Sequence, residues 1–179
     1  MRALLYCTKS APYLIKSMGG RYLLSSIYDT HILYMYGNYY NGKIVAEIEF
    51  EIAEIKRQYF DNKGYYICDY DLKDTCLTYD ELDKYLKGWN GYAIKITHLI
   101  LNWRPKELSE YYIKKRIRDK KYFVETTKAP QNMCYVYNSL GRRYVLISIR
   151  PEWLCKILNR EKTIEVRKAI LKEMIDDDR

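Results

Sequence analysis

The stretch YVLISIRPEWLCKILNREKTIEVRK, Tyr144–Lys168, decides how this chain is read. Val145 to Ile149 is an apolar, β-branched run suited to a buried strand, and Arg150-Pro151-Glu152 then opens a helix with proline at its first position, where a missing N–H costs nothing. Leu154, Ile157 and Leu158 recur at helical spacing, Asn159-Arg160-Glu161 interrupts them, and Lys162–Lys168 alternates as a strand. Lys162, Ile164 and Val166 would share one face; Thr163, Glu165 and Arg167 would share the other. A carboxylate and a guanidinium on one strand face, with an ammonium at its entrance, can hold a polar planar ligand such as a nucleobase, or a phosphate. The plainer alternative is a surface ion network with Lys162 solvated.

The 179 residues suit a single domain, and 48 % hydrophobic content is enough for a core. Because no segment approaches the roughly 20 apolar residues of a membrane span, and Ala3-Leu4-Leu5-Tyr6 is too short for a signal peptide, a cytoplasmic protein with no membrane partner is expected. Five cysteines with no two-residue spacing and two histidines, His31 and His98, argue against a disulfide framework, a metal site or a bound cofactor. The net charge of +8 is unevenly distributed: residues 43–83 hold eleven acidic and five basic side chains, while residues 104–121 and 142–168 each hold eight basic against three acidic. Such polarity favours an anionic partner. The 21 tyrosines, among them Tyr34, Tyr36, Tyr39, Tyr40, Tyr65, Tyr66, Tyr111 and Tyr112, offer apolar area with a polar tip on which bases can stack.

Elsewhere the pattern predicts a strand at Arg2–Cys7, extended runs at Arg21–Leu24 and Ile32–Tyr36, and a turn at Asn41-Gly42. A half-buried strand follows, with Ile44 to Ile52 inward on alternate positions and Glu47, Glu49 and Glu51 outward. Asp61-Asn62-Lys63-Gly64 turns the chain, and Thr78-Tyr79-Asp80-Glu81 is a capping box for a helix ending near Gly88. The strand Tyr92–Trp103 should place His98 as a half-core side chain and stop at Arg104-Pro105. Lys114-Lys115-Arg116-Ile117-Arg118-Asp119-Lys120-Lys121 could grip phosphates or be a solvated loop. A short strand at Met133–Tyr137, a linker at Asn138–Arg143, and one amphipathic helix over Ala169–Asp178 complete the expectation.

Ile147–Trp153 followed by Lys162-Thr163-Ile164-Glu165-Val166-Arg167 resembles the opening of ASCH domains, PUA-like small β-barrels in which a strand and a proline-initiated helix lead to Gly-x-Lys-Thr-x-Glu-x-Arg. Leu5–Lys9, Gly42–Glu47, Asp74–Thr78, Arg104–Ser109 and Ala129–Val136 resemble a subgroup found in phages and prophages of Gram-positive bacteria. Arg160 stands where the family has glycine. The order also differs: the block that opens the family stands last here, so the resemblance implies a circularly permuted α+β barrel in a single domain, 1–179. Residues 1–137 would be the usual C-terminal part, 138–143 the join, 144–168 the usual N-terminal block and 169–179 a tail. Lys162–Lys168 should then close one sheet beside Arg2–Cys7.

What the resemblance implies for function is RNA or other nucleic-acid binding in a cleft lined by Lys162, Glu165 and Arg167, with Lys9, Arg150, Lys114, Lys115, Arg116 and Arg118 extending the footprint, in a bacterial host cell. It also admits a small amidohydrolase acting on 4-acetylcytidine-like nucleosides, with Lys162 activating water and Asp74 as a guessed third partner. Glu165 stands where those enzymes have threonine, and a carboxylate there should favour the ammonium and weaken the base. Ribonuclease activity has little support in two unpartnered histidines. A phage regulatory or anti-defence protein that binds a host protein through the acidic 43–83 region or a tyrosine-rich surface is a third possibility, and the sequence leaves oligomeric state open.

Overall fold

The computed structural model describes residues 1–8, 23–24, 31–32 and 42–176, of which 23–24, 31–32, 103 and 176 are described by backbone alone. Tyr34, Tyr36, Tyr39, Tyr40 and Lys9 therefore lie outside the described residues, and of the two runs expected around them β2 (Leu23–Leu24) pairs antiparallel with β3 (His31–Ile32). The fold is mixed α+β and rich in strands, and it divides into two compact units, Met1–Glu49 with Leu99–Asn159 and Phe50–His98 with Arg160–Arg179. Two long neighbouring strands, β4 (Ile44–Phe60) and β6 (Gly91–Lys106), contribute residues to both.

In the first unit the strand order is β4, β1 (Arg2–Cys7), β10 (Arg143–Ile149), β9 (Met133–Tyr137), β7 (Tyr112–Ile117), β8 (Lys120–Glu125). β1 is antiparallel to β4 and parallel to β10, with Ala3 opposite Val145 and Cys7 opposite Ile149. Flanked on both edges and covered on both faces, β1 is buried from Ala3 to Cys7, which is why its sequence is an unbroken apolar run. Leu4, Tyr6, Ile44, Tyr111, Val136, Tyr144 and Leu146 form the core on one face. α2 (Pro151–Leu158) packs against β1 on the other, where the Cys7 thiol senses Cys155 and Glu152. Pro151 begins that helix as its position predicts, and Leu154, Cys155 and Ile157 are its buried stripe.

Several local expectations change. The 114–121 run is not a solvated loop: it is the β7–β8 hairpin, turned at Arg118-Asp119, both with positive φ (46° and 64°) as a type I′ turn requires. Residues 138–142 form the tight loop that joins antiparallel β9 and β10, where the Asn138 carboxamide accepts from Leu140 N and Arg142 N and Gly141 supplies φ 75°, and Arg143 already belongs to β10. β6 runs through Arg104-Pro105 to Lys106, because proline's fixed φ suits extended backbone and only a donor is lost.

The second unit holds the distal part of β4, β5 (Lys63–Ile67), a 3₁₀ turn (Leu72–Thr75), α1 (Tyr79–Leu86), the first half of β6, β11 (Ile164–Arg167) and a one-turn α3 (Glu173–Asp176). Ile55, Tyr66, Leu82, Leu86, Ala93, Ile164 and Val166 are its core. Asp61 and Asn62 (φ 47° and 61°) make the β4–β5 turn, and the capping box of α1 is present, with Thr78 N donating to Glu81 at 2.8 Å. Arg57 donates to Tyr66 and to Asp83, and Tyr66 and Arg57 together hold the Asp83 carboxyl below the usual carboxylate range. Part of the acidic surplus of residues 43–83 is thus spent on structure.

His98 is exposed rather than half-core: among the described side chains of β6 the buried positions are Gly91, Ala93 and Ile94, near its beginning. The tail forms only the short α3, in which Met174 is buried; residues 177–179 lie outside the described residues. β11 pairs with β6, while both edges of β1 are taken by β4 and β10, so the expected closure of β11 beside β1 does not occur.

Arg160 takes the left-handed conformation, φ 60°, that glycine would supply more cheaply. Arg160→Gly is expected to stabilise the chain by about 0.5–1 kcal/mol, since relieving the left-handed strain outweighs the added freedom of the unfolded chain. Urea unfolding should show a higher midpoint at unchanged slope; a lower midpoint would mean that the arginine side chain itself holds the turn.

Candidate functional site

β11 is shorter than the alternation suggests, and Lys162 and Thr163 precede it as irregular chain tied to the 3₁₀ turn. Thr163 N donates to Asp74 O at 3.1 Å, Ile96 N donates to Thr163 O at 2.9 Å, and the Cys76 thiol donates to Glu161 O at 3.3 Å. The turn is itself pinned, by Thr75 Oγ1 donating to Leu72 O and by Cys76 in the left-handed conformation. These bonds set Lys162 at the C-terminal end of the turn, where Nζ donates to the Thr75 carbonyl at 2.6 Å. Within β11, Ile164 and Val166 enter the core, which sends Glu165 and Arg167 to the other face, opposite Ile94 and Tyr92 of β6. Gly91 is required at the start of that pairing: a Cβ there would stand 2.6 Å from Leu86 and 3.1 Å from the Arg167 carbonyl.

Three charged groups converge here. Glu165 Oε2 lies 3.4 Å from Lys162 Nζ, and Oε1 lies 3.0 Å from Arg167 Nη2, so one carboxylate bridges two cations. All three residues are buried, Lys162 at 2 % exposure and Glu165 and Arg167 at 9 % each. A solvated surface network is therefore excluded, and Lys162 does not lie with Ile164 and Val166 as the alternation predicts. Its ammonium instead swings toward Glu165 because it precedes the regular strand. Burial depresses the Lys162 pKa; attraction to Glu165 opposes this and does not overcome it. The expected direction, a lysine held as ammonium by its carboxylate, is thereby reversed.

Of the remaining candidates, Arg150 and Lys114, Lys115, Arg116 and Arg118 belong to the first unit, whereas the triad belongs to the second. Arg150 is the N-cap residue of α2, exposed, with Glu152 4.0 Å away. Lys114, Lys115, Arg116 and Arg118 are exposed on the β7–β8 hairpin. Asp74 contributes its backbone carbonyl, and the side chains whose electrostatics act on Lys162 are Glu165, Cys76 and Arg167. Of the tyrosines offered for stacking, Tyr66 and Tyr111 are buried and Tyr65 is exposed. The Thr75 carbonyl was missing from the expected site; the signal for it was the Asp71-to-Cys76 turn, whose Asp71 carboxylate accepts from Lys73 N. Among the described residues no group of three acidic, histidine or cysteine side chains is arranged to hold a metal, and no helix is long and apolar enough to cross a membrane.

Comparison with family models, with curated proteins and with solved structures found no match.

Proposed function

We propose that this chain is a permuted ASCH-type domain of the PUA-like barrel class that binds RNA or its nucleosides, with a base recognised at Lys162, Glu165 and Arg167. The observation that carries the reading is the bridging of two buried cations by one carboxylate. A guanidinium fork and an acceptor carboxylate on one strand face match the donor and acceptor edge of a base, and polar contacts in a site shielded from water are strong. The Arg167–Glu165 contact is the tighter of the two, so Oε2, held at the longer distance from Lys162, is the oxygen that would turn to an exocyclic amine. Burial favours a single planar group over a run of phosphates. Support for the permutation comes from parallel β1 and β10: such a pair needs a crossover, and the helix-bearing segment after β10 is one if the family's order is restored.

A second reading, amidohydrolysis of an acylated nucleoside, is favoured by the depressed Lys162 pKa, since a lysine nearer its neutral form is a better base. One experiment separates the two. Calorimetric binding of cytidine, 4-acetylcytidine and short RNA, with chromatographic analysis for deacetylated product, should show binding by the wild type and at least a tenfold loss in Lys162→Met, whose folding is checked by circular dichroism. Product formed by the wild type alone selects the enzyme. Equal affinity in both proteins overturns the triad as a site.

A further inference from the structure

Residues directly opposite in an antiparallel pair share a face of the sheet. In the first unit Lys114 is opposite Phe123, Arg116 opposite Lys121, Tyr112 opposite both Glu125 and Tyr137, and Tyr137 opposite Arg143. These side chains therefore lie on one face, running from β10 across β9 and β7 to β8. The opposite face of the same strands carries Val136, Tyr144 and Leu146, with Ile113 and Cys134 packed against them, and is the core side. Outward, aromatic rings and cations alternate. Lys114 Nζ stands 4.3 Å from the Tyr137 ring centre and 5.3 Å from that of Phe123, and the two rings meet edge to face at 5.2 Å. Arg143 lies over Tyr135 at 4.7 Å. Phe123 is 55 % exposed although it is one of only three phenylalanines in the chain.

Six of the eight residues Lys114–Lys121 are basic and one is acidic. The ion pair of that acid, Asp119, with Arg116 is exposed and offsets little. A basic strand face with an aromatic ring open to solvent lacks any reason in the core, and its chemistry is that of a stacking surface with phosphate contacts alongside. The far face of the hairpin tip also has a ring, Tyr122, but Ile113 on that side turns into the core, so Tyr122 has no second aromatic strand beside it.

We propose that this face is a platform for single-stranded nucleic acid, with bases stacked on Phe123 and Tyr137 and phosphates met by Lys114, Arg116, Lys121 and Arg143. It extends the reading above to a second site and rests on it only for the class of ligand; no triad residue takes part. Anisotropy of a fluorescein-labelled oligouridylate tests it. Phe123→Ala should weaken binding about tenfold, and Tyr122→Ala should not. Replacing Lys114, Arg116 and Lys121 together by alanine should cost far more affinity than replacing Lys115, Arg118 and Lys120, although each removes three charges, and should make the log–log salt slope shallower by about 2. Photo-crosslinking of a 4-thiouridine oligomer to the unmodified chain, which needs no variant to fold, should mark Phe123 or Tyr137. Equal losses from the two triple variants with an unaffected Phe123→Ala, crosslinks confined to other residues, or no binding by the wild type would each overturn the platform. Failure of nucleoside binding at Lys162 with oligomer binding intact would instead remove the triad reading and leave this one standing.

Discussion

Glu165→Gln is expected to destabilise the chain by about 3–5 kcal/mol, the cost of removing one partner from a buried ion network. The substitution keeps shape and removes charge, leaving the Lys162 ammonium and the Arg167 guanidinium without the carboxylate between them. Losing that attraction lowers the already depressed Lys162 pKa further. The unfolded chain then holds a proton that the folded one releases, so the deficit should shrink as pH rises toward the ordinary lysine value. Adding Lys162→Met should recover at least about 1 kcal/mol, because the two positions interact directly. Urea unfolding of the two single variants and the double variant measures all three quantities. A loss below about 1 kcal/mol for Glu165→Gln would show that water already screens the cluster.

Alkaline unfolding should carry the mark of Cys7. Burial, then the neighbouring Cys155 and Glu152, push its thiol from an ordinary 9.0 up to about 12. Below pH 9 both folded and unfolded chains keep the proton, and the stability conferred is complete. Above it the unfolded chain ionises first, so stability falls by about 1.4 kcal/mol per pH unit, or about 4 kcal/mol by pH 12. Tyr6 and Tyr111, raised above 10.0 by burial, add to the loss at the upper end of that window. Lys162 works the other way: its folded pKa lies below 10.5, so between the two values rising pH favours the folded chain. Cys7→Ala should therefore flatten the fall in stability most visibly between pH 9 and 10, before the tyrosines contribute. An unchanged slope in urea titrations across that interval would falsify the protected thiol.

Local chemistry was legible wherever a short-range rule fixes the backbone. Pro151 at the first helical position, Thr78 with Glu81, the alternation from Ile44 and the β-branched run at Val145 each named their element. What the sequence hid depended on partners far along the chain. Nothing in residues 162–168 says that the Thr75 carbonyl waits for the lysine, and so the cluster read equally well as a surface network. His98 fitted an inward alternation, but β11 pairs with β6 only from Tyr92 to Lys95, and His98 lies beyond that stretch and is exposed. Gly-free turns misled as well: Arg118-Asp119 and Arg160 adopt left-handed backbone that composition does not advertise, and with the first of them the hairpin of cations and rings was invisible as a hairpin.

The parallel pairing of β1 with β10 has a consequence for synthesis. Ala3 to Cys7 gain β4 along one edge soon after they are made, but Val145 to Ile149, which occupy the other edge, follow about 140 residues later. At about 5–20 residues per second the wait on the ribosome is roughly 7–30 s, during which an apolar strand offers an open row of amides to any neighbouring nascent chain. Production of this protein should therefore depend on chaperone capacity and temperature more steeply than its finished stability would suggest.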